Sequence, residues 1–552
     1  MKESLRYLGR ISFWPFVGKK SPQFPLTPVN ELRLKAKAKE AFSRTKNKEK
    51  QSSLSPVENH VKEETSNESN SENKFFLSSY IYWPTKTRPS LDAYLPKKKA
   101  TQEERTQKVQ VVEDKSLSSR GDIDDRTYNL LNNLRAKHTF TDPFYIRRLQ
   151  DLCKHLRIYP ETQGIALKHE SVGLILSIIE ENKENQSTKL QCHEALAMLG
   201  HHGPLPGRGI RILSIDGGGM RGIVGLQMLK KFEEETGRKI HRLFDLIVGV
   251  STGAIIASFL GFHKKSVSEI EETYKTIGSR IFTQNQMDGV RGWVLTHSFY
   301  NTKSYEDILK SFVGEFPMHG LNRNIHTTPK VAIISSHVTE HRITPYVFRS
   351  YTLPYLVHSS FNGSSKYPVW AAVRASSAAP GYFDEFSLDN QIFHDGGILV
   401  NNATHIAIHE ARRLWPKERL HCVVSLGLGR NEMPLENSSL AMPKGLSIHQ
   451  KFARIVDSAT DTELVHETLN DNLERNVYYR FNPYLPEYLP LDEKRPVKMK
   501  MMAEAADMYL RRNRIKFTEA CRTLVEPRAP HELICDHLKK QHEIIKTSMY
   551  RP

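Results

Sequence analysis

The apolar residues of this 552-residue chain fall into blocks of different period. Over residues 121–203 they recur every three to four positions: Leu130, Leu131 and Leu134, then Ile146, Leu149, Leu152, Cys153 and Leu156, then the stretches 172–179 and 190–199. This spacing lines one face of successive helices and predicts a small helical bundle. The last stretch ends A-L-A-M-L-G, similar to an armadillo-type repeat helix. A platform for unspecified protein partners and a plain helical cap fit a single such unit equally well.

Pro204, Pro206 and Gly207 mark a linker, after which the period changes. Over residues 207–445 short β-rich runs at 211–215, 243–248, 330–335, 345–348, 391–394 and 421–426 alternate with helical runs that include 224–235 and 253–262. Alternation of this kind predicts an α/β fold, a sheet with helices on both faces. Residues 446–552 read as a helical extension, clearest at 448–456 and 499–510, with a charged final part from Glu526 expected as a solvated helix or tail. Residues 1–120 are rich in Lys, Ser, Asn, Glu and Pro, and 51–73 hold almost no apolar side chain. Too little surface can be buried there to offset the entropy of ordering, which predicts a disordered basic tail.

Composition sharpens this division. Hydrophobic residues make up 39% of the chain, and the dilution lies mostly in the tail. The formal net charge is +17, and the first 50 residues alone carry 13 Lys/Arg against 4 Asp/Glu. Such a segment is attracted to anionic membrane or to nucleic acid. No recognisable nucleic-acid module or regular aromatic interleaving accompanies it, so a nucleic-acid partner is not expected. A mitochondrial targeting segment, a membrane-surface anchor and an uncommitted solvated tail remain open readings, as do endoplasmic reticulum and peroxisome for the compartment. The five cysteines are odd in number, widely spaced and form no C-x-x-C pair, which argues for a reducing, intracellular setting with neither a disulfide framework nor a metal site. The uncharged run at 246–262 contains Gly249, Ser251, Thr252 and Gly253 and reads as a buried strand turning into a helix, so membrane contact is expected to be peripheral.

Three glycine-bearing elements carry the candidate chemistry. Gly249-Val250-Ser251-Thr252-Gly253 fits a nucleophile elbow, where a strand turns sharply into a helix and side chains two residues either side of the serine would collide. Gly217, Gly218 and Gly219 follow a strand and precede a helix, so their amides are candidates for an oxyanion hole. Arg221 beside them binds either a phosphate or a structural carboxylate. The same loop also satisfies G-x-G-x-x-G through Gly222, with Asp245 further on, a dinucleotide fingerprint that leaves Ser251 unexplained. Serine needs a base within reach. Asp395, followed by Gly396 and Gly397, is the candidate, and His405, His409 or His421 would complete a triad in the order Ser, acid, His.

Taken together, GRGIRILSIDGGGMRG, LFDLIVGVSTGAI, RASSAAPGYF and DGGILVNN resemble the patatin-like phospholipases, and among them the calcium-independent animal enzymes of gamma type. The resemblance runs from about Gly207 to Asp492. It implies a three-layer α/β/α sheet with a Ser251/Asp395 dyad, an oxyanion hole at Gly217, Gly218 and Gly219, and Arg221, Gly249, Gly253 and Gly396 in support. It also implies no cofactor, a phospholipid membrane surface as partner, and hydrolysis of glycerophospholipid acyl esters without calcium. Asp395 is then expected in a recessed, largely apolar pocket. Ala403, where the family often has Pro, and Leu428, inside a usual G-T-G, depart from the pattern. Triacylglycerol lipase or transacylase activity, a Ser-His-Asp hydrolase and a non-catalytic membrane-binding scaffold are the other functions the residues allow, with homo-oligomers also open.

Overall fold

A computed structural model describes residues 119–136, 142–282, 299–321, 329–339, 341–431 and 462–549. Residues 1–118 of the basic tail and the helix expected at 448–456 lie outside the described residues, whereas Ser119 and Arg120 belong to the start of the first helix.

The helical region comprises α1 (Arg120–Arg135), α2 (Asp142–Ile158), α3 (Gln163–Lys168), α4 (Ser171–Glu181) and α5 (Gln186–Met198). Ser119 caps α1 through a reciprocal pair with Asp122, and Asn185 caps α5 by accepting from the Thr188 N–H. Leu131, Leu149, Leu152, Ile175 and Cys192 form its buried core. These are the positions that the helical period selects.

The following strands are β1 (Ile210–Ile215), β2 (Leu246–Val250), β3 (Lys330–Val338), β4 (Ile343–Arg349), β5 (Asn362–Ser364), β6 (Phe386–Leu388), β7 (Gln391–His394), β8 (Leu420–Leu426), β9 (Arg430–Asn431), β10 (Tyr478–Phe481) and β11 (Tyr484–Leu485). The central sheet runs β10-β8-β1-β2-β3-β4-β5. The first five of these pair in parallel, whereas β4 is antiparallel to β3. The nine-residue β3 is long enough to pair β2 with its first half and β7 with its last three residues along the same edge. That arrangement brings β7, distant in sequence, to the carboxyl end of β2.

Alternate residues of the central strands face two cores. Leu213, Ile215, Ile247, Val331 and Ile333 point to one side, where α6 (Gly222–Thr236), α7 (Thr252–Ser258), α8 (Val267–Ile281), α9 (Thr302–Val313) and α10 (Val369–Ser376) pack. Ile210, Ile212, Val248, Val250 and Ala332 point to the other, against α11 (Thr404–Leu414) and the apolar side of α12 (Thr462–Asn472). The result is a three-layer α/β/α arrangement, as the alternating pattern predicts.

The extension after residue 446 is not wholly helical. It contains α13 (Pro496–Arg512), α14 (Arg514–Val525) and α15 (Pro530–Met549), but residues 478–481 form β10 of the central sheet. Arg480 inside so short a strand hides it from hydrophobic periodicity. The strand near the elbow starts at Leu246 rather than 243, because Leu243 ends a one-turn helix. The last segment is the helix among the two forms expected, but one side of it is docked rather than solvated. Helix α15 lies against α4, with Ile544 on the helical-region core, Lys540 paired with Glu180, and Lys546 2.8 Å from Glu170. Among the described residues no helix is long and apolar enough to cross a membrane.

Close packing of α15 on α4 depends on Gly173, where a Cβ would stand 1.9 Å from Thr547 Oγ1 and 2.3 Å from the Glu543 carbonyl oxygen. Gly173→Val should therefore displace α15, with amide hydrogen exchange over 530–549 rising at least tenfold while β1 and β2 remain protected. Unchanged protection of 530–549 in that variant would show that the helix is held some other way.

Candidate active site

The chain leaves β2 at Val250 and enters α7 at Thr252, so the whole reversal falls on Ser251, at φ 53° and ψ −118°. A non-glycine residue holds such a conformation only when its surroundings impose it. Here they do: a Cβ on Gly249 would stand 2.2 Å from the Gly253 carbonyl oxygen, and one on Gly253 would stand 2.3 Å from that of Ile215. Only glycine allows the two limbs of the turn, and β1 beside them, to approach so closely.

Asp395 arrives from another direction, one residue past β7. Gly396 lets that turn settle on β3, since a Cβ there would come within 2.3 Å of the Ile334 carbonyl oxygen. Ser251 Oγ donates to Asp395 Oδ2 at 2.6 Å. The other carboxylate oxygen accepts the Gly397 N–H at 2.7 Å. Asp395 is 7% exposed. Burial pushes its carboxyl up to about 6, although the bonds from Ser251 and Gly397 favour the ionised form.

The segment 376–378 braces both residues. Ser376 Oγ accepts the Ser251 N–H at 2.8 Å and donates to the Ile334 carbonyl, and the Ala378 carbonyl accepts the Asp395 N–H at 3.0 Å. These roles are not legible from the sequence, where RASSAAPGYF stands out only as part of a resemblance. The same holds for Asn401, whose Oδ1 accepts the Gly217 N–H at 2.8 Å. That bond occupies one of the three amides expected to face an oxyanion and leaves those of Gly218 and Gly219.

The glycine loop is held on its far side as well. Tyr274 OH donates to the Gly219 carbonyl and lies 2.6 Å from Thr252 Oγ1. Gly219, at φ +53°, has no room for a Cβ against the Leu491 carbonyl oxygen at 2.2 Å. Arg221 turns its Nε back onto the Gly218 carbonyl at 3.3 Å. Asp216, at the start of the loop, pairs with Arg480 at 2.8 Å from β10; burial nonetheless pushes its carboxyl up to about 6. Arg480 has no sequence signature that would have marked it.

Ser251, Asp395 and the three loop glycines border a cleft of about 960 Å3, partly open to solvent. Its walls are largely apolar, built from Ile255, Ile277, Ile281, Phe282, Phe383 and Leu491. No histidine lines it among the described residues. His405 and His409 lie beside Phe361, and His421 Nε2 meets the Thr523 carbonyl at 3.1 Å, so none of the three reaches Ser251 or Asp395. The dinucleotide arrangement fails on register. Asp245 precedes β2 and is bound by Arg211 at 2.7 Å, at the opposite end of the strands from the glycine loop.

The family model for patatin-like phospholipase matches residues 213–408. Calcium-independent phospholipase A2-gamma from Homo sapiens is 40% identical over 437 residues, covering 79% of this chain and 54% of that protein. The Mus musculus protein of the same name is 39% identical over 455 residues, or 82% of this chain and 56% of that one. Phospholipase A I from Arabidopsis thaliana is 30% identical over 478 residues, covering 75% and 36%. The chain thus spans about half the length of the gamma-type proteins it matches. The glycine loop, the elbow and the Asp395 turn all fall within the matched residues, and the chain belongs to the patatin-like phospholipase family.

Proposed function

We propose that this chain is a calcium-independent phospholipase that hydrolyses fatty-acyl esters of membrane glycerophospholipids through Ser251 and Asp395. The observation that carries the reading is the 2.6 Å hydrogen bond between the Ser251 hydroxyl and a buried carboxylate at the edge of an apolar cleft. The cleft takes the acyl chain, and the ester carbonyl comes to rest above Ser251. Asp395 accepts the hydroxyl proton as Oγ attacks the carbonyl carbon. The amides of Gly218 and Gly219 receive the oxyanion, Gly217 being held by Asn401. Collapse breaks the ester C–O bond, and the proton on Asp395 passes to the leaving alkoxide. Water then gives a proton to Asp395 as it attacks the acyl-serine; the acyl C–Oγ bond breaks, the fatty acid is released, and the proton on Asp395 returns to Ser251 Oγ.

A carboxylate is ordinarily too weak a base for this work. Desolvation narrows the gap by making proton uptake easier. The names of the relatives agree with a lipid substrate, and a membrane surface met peripherally is part of the same proposal.

The deciding assay measures fatty-acid release from phospholipid vesicles in the presence of a calcium chelator. Ser251→Ala and Asp395→Asn should each lose at least about 10³-fold in rate, while His405→Ala, His409→Ala and His421→Ala stay close to wild type. Loss of turnover in any of the histidine variants, with correct folding, would restore a triad.

The base must be ionised, so kcat/KM should fall about tenfold per pH unit below roughly 6 and level off above it, read from a pH–rate profile on a soluble ester. An acid limb confined to the ordinary Asp range near 3.8 would count against a desolvated base.

Stability should move the other way. A folded-state pKa raised from 3.8 to about 6 contributes stability below 3.8 that is lost as pH rises through 6, on the order of 3 kcal/mol in all. Asp395→Asn should therefore be more stable than wild type at pH 8 and gain nothing at pH 4, by urea denaturation. Equal stability at pH 8 would mean that burying the charge imposes no penalty.

A further inference from the structure

A second cavity, of about 940 Å3 and partly open to solvent, lies at the end of the sheet opposite the cleft. The linker at 202–206, the residues before β2 and β3, and Trp415 at the end of α11 enclose it. Four of its lining side chains bury a polar atom that has no hydrogen-bond partner among the described residues: Lys330 Nζ, Trp415 Nε1, His202 Nδ1 and His241 Nδ1. Buried polar atoms are nearly always paired, so four around one space indicate a place built to receive something polar.

The His202 and Trp415 rings are 6.2 Å apart, and the Lys330 charge acts on the His202 ring. Lys330 is 2% exposed. Burial lowers its ammonium to about 8, which leaves it mostly charged at neutral pH. Among the described residues one carboxylate lines the cavity, Asp245, and it already holds Arg211 at 2.7 Å. His202 Nε2 lies 2.9 Å from the Thr352 carbonyl oxygen, which can only accept, so Nε2 carries the proton and Nδ1 presents a lone pair. An ammonium, an indole N–H and an imidazole lone pair therefore line one cavity.

We propose that this cavity binds a phosphate group that retains a proton, with Lys330 and Trp415 donating to its anionic oxygens and its own P–OH donating to His202 Nδ1. Sulfate has the same shape but no proton near neutral pH, so it would turn an oxygen lone pair onto that of His202. The cavity continues to Arg242 and His241, which gives room and further positive charge for the remainder of a phosphate monoester. The site is separate from the catalytic one. Lys330 aligns with Leu246 and Ile334 with Val250, so four residues of strand, roughly 13 Å, separate the two levels.

The test is isothermal titration calorimetry of the full chain at pH 7 with inorganic phosphate, glycerol 3-phosphate and sulfate at equal ionic strength. One saturable site per chain is expected for a phosphate compound, at least about tenfold tighter than for sulfate. Tighter binding of glycerol 3-phosphate would identify an ester as the ligand, and tighter binding of inorganic phosphate the free ion; either order upholds the site. Lys330→Met should weaken binding at least about tenfold, and Trp415→Phe, which keeps the ring and loses the N–H, about fivefold. Lys330→Met should also leave ester hydrolysis unchanged. Absence of saturable binding by either phosphate compound, equal affinity for sulfate, or unchanged affinity in a folded Lys330→Met variant would overturn the proposal. Should that variant fail to fold by circular dichroism, Trp415→Phe and the sulfate comparison decide.

Discussion

Main-chain segments meet at the carboxyl ends of β1 and β2 and at the middle of β3 at distances that no side chain would permit. Gly249 faces the Gly253 carbonyl, Gly253 faces the Ile215 carbonyl, and Gly396 faces the Ile334 carbonyl. Every feature of the site depends on this contact of main chain with main chain. It forces Ser251 into a positive-φ turn, brings the Asp395 turn onto β3, and draws hydroxyl and carboxylate into a hydrogen bond across 144 residues of sequence. The strain at Ser251 is tolerated because the strands on either side are fixed by their ladders.

Two carboxylates mark the site, and their surroundings give them different uses. Asp216 and Asp395 are both raised by burial to about 6. Asp216 has the Arg480 guanidinium beside it, a full positive charge that ties the start of the glycine loop to β10. Among the described residues Asp395 is bonded by neutral donors alone, a hydroxyl and an amide. A carboxylate committed to a guanidinium is an anchor, whereas one held by neutral donors keeps the capacity to exchange a proton. Environments that push similar groups toward different roles are a general means of assigning them.

The glycine pattern was legible because its meaning is local. G-x-S-x-G, G-G-G and D-G-G each report a backbone that must come close to something, and the structure supplies the partner in each case. The alternating strands and the helical stripes were legible for the same reason, since burial on one face imposes a period. What could not be read were contacts with no period and no special backbone: Ser376 and Asn401 are ordinary polar residues until the fold sets them against Ser251 and Gly217. Strand β10 was hidden by Arg480, a charge in the middle of four residues that periodicity treats as surface. The docked face of α15 is not legible because Leu533, Ile534 and Leu538 on the same helix are exposed, which blurs the stripe that marks a buried side.

The seat of α15 on α4 joins residues that lie 360 positions apart, Lys540 and Glu180. On a ribosome the helical region emerges early, yet its outer wall is supplied only after the entire sheet has been made. Until α15 has been made the Gly173 face of α4 lacks the helix that covers it. Contacts of such long range also slow the search for the folded state. Folding of this molecule thus has a late step, set by the distance along the chain between a groove and the helix that fills it.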